Sequence, residues 1–154
     1  MSICGSVPPT SAHDDLVPVR LVKVGFADAQ GVEGVAVLAA ISDPARRLFM
    51  RAFSGEVATH LDRFLRGDRS SIPSVYNIVE DLAEREGLHL AKVEIYSSDT
   101  VLRGDMSFDG REKRVVLRGY RASDCLTLAI LYDAPVLVQS SLLTVEGATG
   151  EATS

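Results

Sequence analysis

From Leu88 to Tyr96, apolar Leu88, Leu90, Val93 and Ile95 alternate with mostly polar neighbours. A period of two puts successive side chains on opposite faces of a strand. The alternation slips phase once near Ala91, the mark of a β-bulge. Similar patterns predict three earlier strands, which form a meander: one in Leu16 to Ala29 that begins after Pro18, one over Val32 to Ser42 buried on both faces, and one over Arg47 to Phe53. Thr100 to Phe108 and Arg111 to Tyr120 read as a hairpin joined at Asp109-Gly110, a pair favoured where a turn needs positive φ. Pro135 to Val138 gives a last short strand.

Between these runs the period changes to that of a helix. Val57, Leu61, Phe64 and Leu65 form an apolar stripe; Ser54 is placed to cap it, Glu56 to face its positive end and Gly67 to stop it. After the loop Asp-Arg-Ser-Ser-Ile-Pro, Ser74 caps a second helix with the stripe Val75, Ile78, Val79 and Leu82, ending at Gly87. The third helix, Ser123 to Tyr132, carries Cys125, Leu126, Leu128, Ala129, Ile130 and Leu131, and only Thr127 breaks the run. A helix apolar on nearly every side must be central and covered. Its first amides have no partners within the helix. Ser123 as N-cap, with Asp124 in the first turn and Arg121 close enough to pair with it, would satisfy that end.

Strands and helices do not alternate strictly, which argues against a doubly wound parallel sheet. The expected fold is α/β of the α+β type: one domain over residues 16–144, with about three helices packed on a mixed, mostly antiparallel sheet. Residues 1–15 read as a flexible leader and 145–154 as a disordered tail. No internal repeat is evident.

The chain has 154 residues, 46% hydrophobic and 24% charged, as in an ordinary soluble domain. It has no apolar run of roughly 18 residues and no signal-peptide pattern. Cys4 and Cys125 suggest no disulfide framework, so a reduced, cytoplasmic setting is expected. Net charge is −5, without the overall basic bias of a phosphate-gripping protein. Two stretches depart from that balance. Arg46 to Arg69 and Arg103 to Arg121 each hold six basic residues against three acidic ones, a local net of +3.

Arg121 to Val138, "RASDCLTLAILYDAPVLV", resembles the signature of the bifunctional nuclease family, in which Arg-Pro-Ser-Asp-Ala opens an apolar helix leading to Ala-Pro and a short β-run. Arg121, Ser123, Asp124, Leu128, Ala129, Ala134 and Pro135 match; Ala122 replaces the proline and Cys125 the usual alanine. "LFMRAFSGEVATHLDRFLRG" is similar to the family's strand, turn and first helix, with Glu56 at the acidic position. "IPSVYNIVEDLAEREGLHLAKVEIY" is similar to its second helix and next strand. The resemblance spans about Val19 to Leu143. Val75 and Tyr76 stand where the family commonly has Thr-His, and Phe53-Ser54-Gly55 where Ile-Gly is usual, so the chain reads as a divergent member. The resemblance implies a mixed α/β fold, self-association into a homo-oligomer and, for some members, DNase and RNase activity.

Phosphodiester hydrolysis needs metal-bound carboxylates or an acid–base pair, plus cations on the phosphoryl oxygens. Asp124, Arg121 and Glu56 are the catalytic candidates: Arg121 could clamp a phosphate beside a helix end that attracts anions. A divalent metal, Mg or Mn, is a possible cofactor, with no ligand set evident. Asp109 reads as a turn residue, and Asp99 and Asp105 as lying in or near turns. His13 falls in the leader, His60 four residues after Glu56 on the first helix, and His89 at a strand start. Tyr76 and Tyr120 read as core-edge aromatics able to stack on bases. DNA or RNA is the expected partner, with no membrane. The alternative is a non-catalytic homo-oligomeric module binding a ligand or a protein.

Overall fold

The computed structural model describes residues 15–145. In chain order the elements are β1 (Leu16–Phe26), β2 (Glu33–Ala40), β3 (Arg46–Ser54), α1 (Gly55–Leu65), α2 (Val75–Arg85), β4 (Leu88–Ser98), β5 (Val101–Gly110), β6 (Arg114–Arg121), α3 (Ala122–Tyr132), β7 (Val136–Gln139) and β8 (Thr144–Val145), with a 3-10 turn at Ser140–Leu142. The eight strands form one mixed sheet in the order β6-β5-β4-β7-β1-β2-β3-β8. Every neighbouring pair is antiparallel except β4 and β7. This is the expected single α+β domain.

α3 is the central helix. Cys125, Leu126, Ala129 and Leu131 are fully buried, and α3 packs on α1, α2 and the sheet. Ser54 caps α1, accepting from the Glu56 amide, and Ser74 forms a capping box with Asn77. The bulge expected near Ala91 falls between Leu90 and Lys92.

Several expectations are corrected. β1 includes Pro18, whose carbonyl accepts from Ile41 N at 3.0 Å just past the end of β2. In a strand a residue's N–H and C=O face the same side, so the donor that proline lacks would have pointed where β2 has ended. The β5–β6 turn is Arg111 to Lys113, because Asp109 pairs with Arg114 within the ladder and Gly110 N donates to Lys113 O. α3 begins at Ala122, with Arg121 rather than Ser123 at the N-cap, because β6 runs straight into the helix. On α2 the inner face is Tyr76 with Val79 and Ala83, whereas Val75, Ile78 and Leu82 are 62%, 58% and 60% exposed. Val145, expected in the tail, pairs with Arg46 through β8. The remaining leader and tail positions, with Cys4 and His13, lie outside the described residues.

The structure also contains a repeat. Three antiparallel strands and a helix occur twice, β1-β2-β3-α1 and β4-β5-β6-α3, on opposite sides of β7. Leu21-Val22-Lys23-Val24 and Leu90-Ala91-Lys92-Val93 carry the first bulge of each half at the same step. Gly34 and Gly104 then lie against the following helices: a Cβ there would come within 2.8 Å of Ala58 Cβ and 2.9 Å of Cys125 Cβ. A second bulge, Arg51-Ala52 in one half and Arg118-Gly119 in the other, precedes an aromatic residue and the helix. Ala52 and Gly119 both have positive φ, 63° and 78°. Each amide is bonded to a carboxylate oxygen, of Glu33 at 3.1 Å and of Asp105 at 2.9 Å.

Candidate functional site

The repeat brings the starts of α1 and α3 to one place, and α2 begins beside them. A cleft of about 860 Å³ is lined there by Ser54, Glu56 and His60 of the α1 region, Ser74 and Tyr76 of the α2 region, and Tyr120, Arg121 and Asp124 where β6 meets α3. All three catalytic candidates, Glu56, Arg121 and Asp124, therefore share one cleft, although some 65 residues of chain separate the first from the other two. Its walls are largely apolar, through Val57, Ile72, Pro73, Val79, Met106 and Leu117.

Asp124 is the anchor of this site. Its Oδ1 accepts from the Tyr76 hydroxyl at 2.5 Å, and its Oδ2 from Arg121 Nε at 2.9 Å. One carboxylate thus ties α2 to the mouth of α3. Burial, followed by the hydrogen bond to and charge of Asp124, holds the Tyr76 hydroxyl well above its usual range, so Tyr76 stays a neutral donor. Arg121 is held above its usual range by its own hydrogen bond to Asp124 and the charge of that carboxylate. With both oxygens engaged, Asp124 is placed to orient Arg121 rather than to move a proton. The Nη groups of Arg121 remain on a largely exposed side chain at the cleft, in the fork that suits a phosphate.

His60 shares that lining. Arg63 Nη2 lies 2.7 Å from its Nδ1. A guanidinium can only donate, so Nδ1 accepts, and the neutral ring carries its proton on Nε2. Burial and the charge of Arg63 hold His60 below its ordinary value of 6.5, which keeps it neutral and makes it a donor rather than a base. Glu56 is exposed at the cleft and is the carboxylate there that Asp124's partners leave available.

Asp105 was expected near a turn but is 3% exposed in the middle of β5. It accepts from Tyr96 Oη at 2.8 Å, Gly119 N at 2.9 Å and Arg118 Nη1 at 3.3 Å. Burial and that bond push the Tyr96 hydroxyl up to about 12. The carboxylate pins the Arg118-Gly119 bulge, and Gly119 meets its positive φ without the steric cost a side chain would bring. Bulges re-aim the side chains that follow them, here Tyr120 and Arg121. Asp99 is in the β4–β5 turn, as expected, with positive φ at both Asp99 and Thr100. Asp109 pairs with Arg114. His89 packs edge-on against Tyr132, away from the cleft lining.

Among the described residues no three His, Cys, Asp or Glu side chains gather into a set that could hold a metal ion. At the cleft Glu56, His60 and Asp124 do not gather into such a set, so the donors there do not fit an Mg or Mn site. The basic stretches are largely neutralised: Arg63, Arg66, Arg69, Arg114 and Arg118 all have carboxylate partners. Cys125 is buried and free, its thiol pushed up to about 12 chiefly by burial. No helix among the described residues is long and apolar enough to cross a membrane. In comparisons with known proteins, the chain matches no family model and no curated protein.

Proposed function

We propose that this protein is a divergent relative of the bifunctional nucleases that hydrolyses phosphodiester bonds of DNA or RNA in the cleft between the starts of α1, α2 and α3. The observation that carries the reading is the meeting of Glu56, His60 and an anchored Arg121 in one cleft. The resemblance of Arg121 to Val138 supports it. In this reading Glu56 takes a proton from water, and the water oxygen bonds to phosphorus. The bond from phosphorus to the leaving sugar oxygen breaks, and that oxygen takes a proton from solvent. The Arg121 Nη groups and His60 Nε2–H donate to the non-bridging oxygens as charge builds on them. Asp124 and Tyr76 hold Arg121 in place. A reduced, cytoplasmic setting accords with the free buried thiol of Cys125, and a homo-oligomer with the exposed Val75, Ile78 and Leu82 stripe on α2.

The test is hydrolysis of end-labelled DNA and RNA by the purified protein, with and without Mg²⁺ or Mn²⁺. Arg121→Ala and Glu56→Gln should each lower the rate at least tenfold, the equivalent of about 1.4 kcal/mol in the barrier. Activity that both variants retain in full would place the chemistry elsewhere, and no hydrolysis under any condition would reject the reading. The second reading, a non-catalytic ligand-binding module, is favoured by the mostly apolar cleft walls and the paired arginines. It predicts ligand binding without turnover.

A further inference from the structure

Beside the cleft, and sharing Ser54 and Arg121 with it, is a smaller pocket of about 370 Å³. Its walls are the second bulge of β3 (Met50 to Ser54), the β4–β5 turn (Thr100 to Leu102) and the start of α3 (Arg121 to Ser123). Arg51 of the first arginine-rich stretch and Arg121 of the second both line it. The Arg51 side chain has no hydrogen bond or ion pair among the described residues. Arg103 stands directly opposite Arg121 in the β5–β6 ladder and likewise has no carboxylate partner among them. Like charges directly opposite each other across a ladder are destabilising, and of the two Arg121 alone has a carboxylate partner, Asp124.

The start of α3 differs from those of α1 and α2. Each of those helices has a serine cap, whereas Arg121 at the α3 N-cap makes no side-chain cap hydrogen bond. The amides of the first turn therefore keep their unmet donors and the positive end of the dipole. Ser123, in that turn, is 6% exposed and lines the pocket, and its hydroxyl has no hydrogen-bond partner among the described residues. A ligand with several acceptor oxygens and negative charge would meet the hydroxyl, the amides and the guanidinium groups together. Glu33, the nearby carboxylate of this bulge, is turned to the Ala52 amide.

We propose that this pocket binds a phosphate group, held by Arg51, Arg121, the Ser123 hydroxyl and the first amides of α3. Resting on the nuclease reading, it is the subsite for the phosphate next to the one cleaved, and Arg121 stands between the two. The oxygen chemistry is shared by free phosphate, a terminal phosphomonoester and a backbone diester.

The test is titration of the full chain, labelled with ¹⁵N, with three probes: inorganic phosphate, a dinucleotide carrying a 5′-phosphate, and the same dinucleotide without it. Saturable shifts of the Ala122 and Ser123 amides with the first two probes are expected. Affinity at least tenfold higher for the phosphorylated dinucleotide than for the unphosphorylated one assigns the pocket to a terminal phosphate. Arg51→Ala, an exposed change, should weaken phosphate binding about tenfold without moving the melting temperature, and Ser123→Ala should weaken it several-fold. A diester alone binding as tightly as the monoester assigns the pocket to the backbone and upholds the proposal. Linear, unsaturable shifts, or saturable binding unchanged in Arg51→Ala, would overturn it. Binding without any hydrolysis would uphold this subsite and reject the nuclease, whereas hydrolysis without saturable phosphate binding would do the reverse.

Discussion

Gly55→Ala should be the most damaging single methyl added to this protein, costing about 4 kcal/mol and lowering the melting temperature by roughly 10 °C. Gly55 is the first residue of α1, and its amide donates to Val32 O at 2.8 Å. A Cβ there would lie 1.9 Å from the carbonyl oxygen of Gly31. The obstacle is backbone, so no rotamer change can relieve it. The β1–β2 connection or the start of α1 must move, and with α1 go Ser54, Glu56 and His60. Thermal unfolding followed by circular dichroism checks this; a melting temperature within about 2 °C of the parent protein would show that the close approach is wrong.

The second large effect is expected at Asp124. Asp124→Leu removes the acceptor of the Tyr76 hydroxyl, on a side chain 5% exposed, and the partner of Arg121. Stranding a buried hydroxyl costs about 1–3 kcal/mol, and losing the first-turn charge of an otherwise uncapped helix a further 0.3–1 kcal/mol or so. The sum, about 1–4 kcal/mol, should lower the melting temperature by roughly 3–15 °C. Urea unfolding gives the same quantity independently; an unchanged midpoint would mean that Asp124 holds nothing. Asp124→Asn, which can still accept from Tyr76, should lose less.

Much of this architecture was legible because it rests on local signals. The alternation of Leu88 to Tyr96 and its slip at Ala91 gave both strand and bulge, Ser54 and Ser74 gave two helix starts, and the apolar run after Asp124 gave the central helix. The pairing of Arg121 with Asp124 was legible because three positions separate them on a helix mouth. What the sequence concealed depends on distant partners. Asp105 looked like a surface acid because its partners, Tyr96, Arg118 and Gly119, come from 9 to 14 residues away across two hairpins. The inner face of α2 was misjudged because Tyr76, which spends its hydroxyl on a residue 48 positions later, points inward in place of Val75, Ile78 and Leu82. Ser123 suits a cap by residue type, but the strand feeding α3 without a loop puts Arg121 at that position.

The repeat was the largest feature missed. Its halves share little sequence beyond Leu-Val-Lys-Val and Leu-Ala-Lys-Val. What persists is geometry: a glycine under the fourth residue of the helix, and an arginine-led bulge whose second residue gives its amide to a carboxylate. Glu33 and Asp105 do that work from different positions, so no alignment of residue types would pair them. The two halves also differ at their helix starts. α1 brings Glu56 and a capped end, whereas α3 brings Asp124, Arg121 and an end without a side-chain cap.

The central claim is that Asp124 is an anchor, joining α2 to α3 and aiming Arg121 into the cleft. A double-mutant cycle of Tyr76→Phe and Asp124→Ala, measured by urea unfolding, tests it directly. Groups in one hydrogen-bond network couple by about 0.5–3 kcal/mol, and for this short bond a coupling of at least about 1 kcal/mol is expected. Costs that simply add would contradict the account, leaving Asp124 free of Tyr76 and the cleft without the contact that joins its walls.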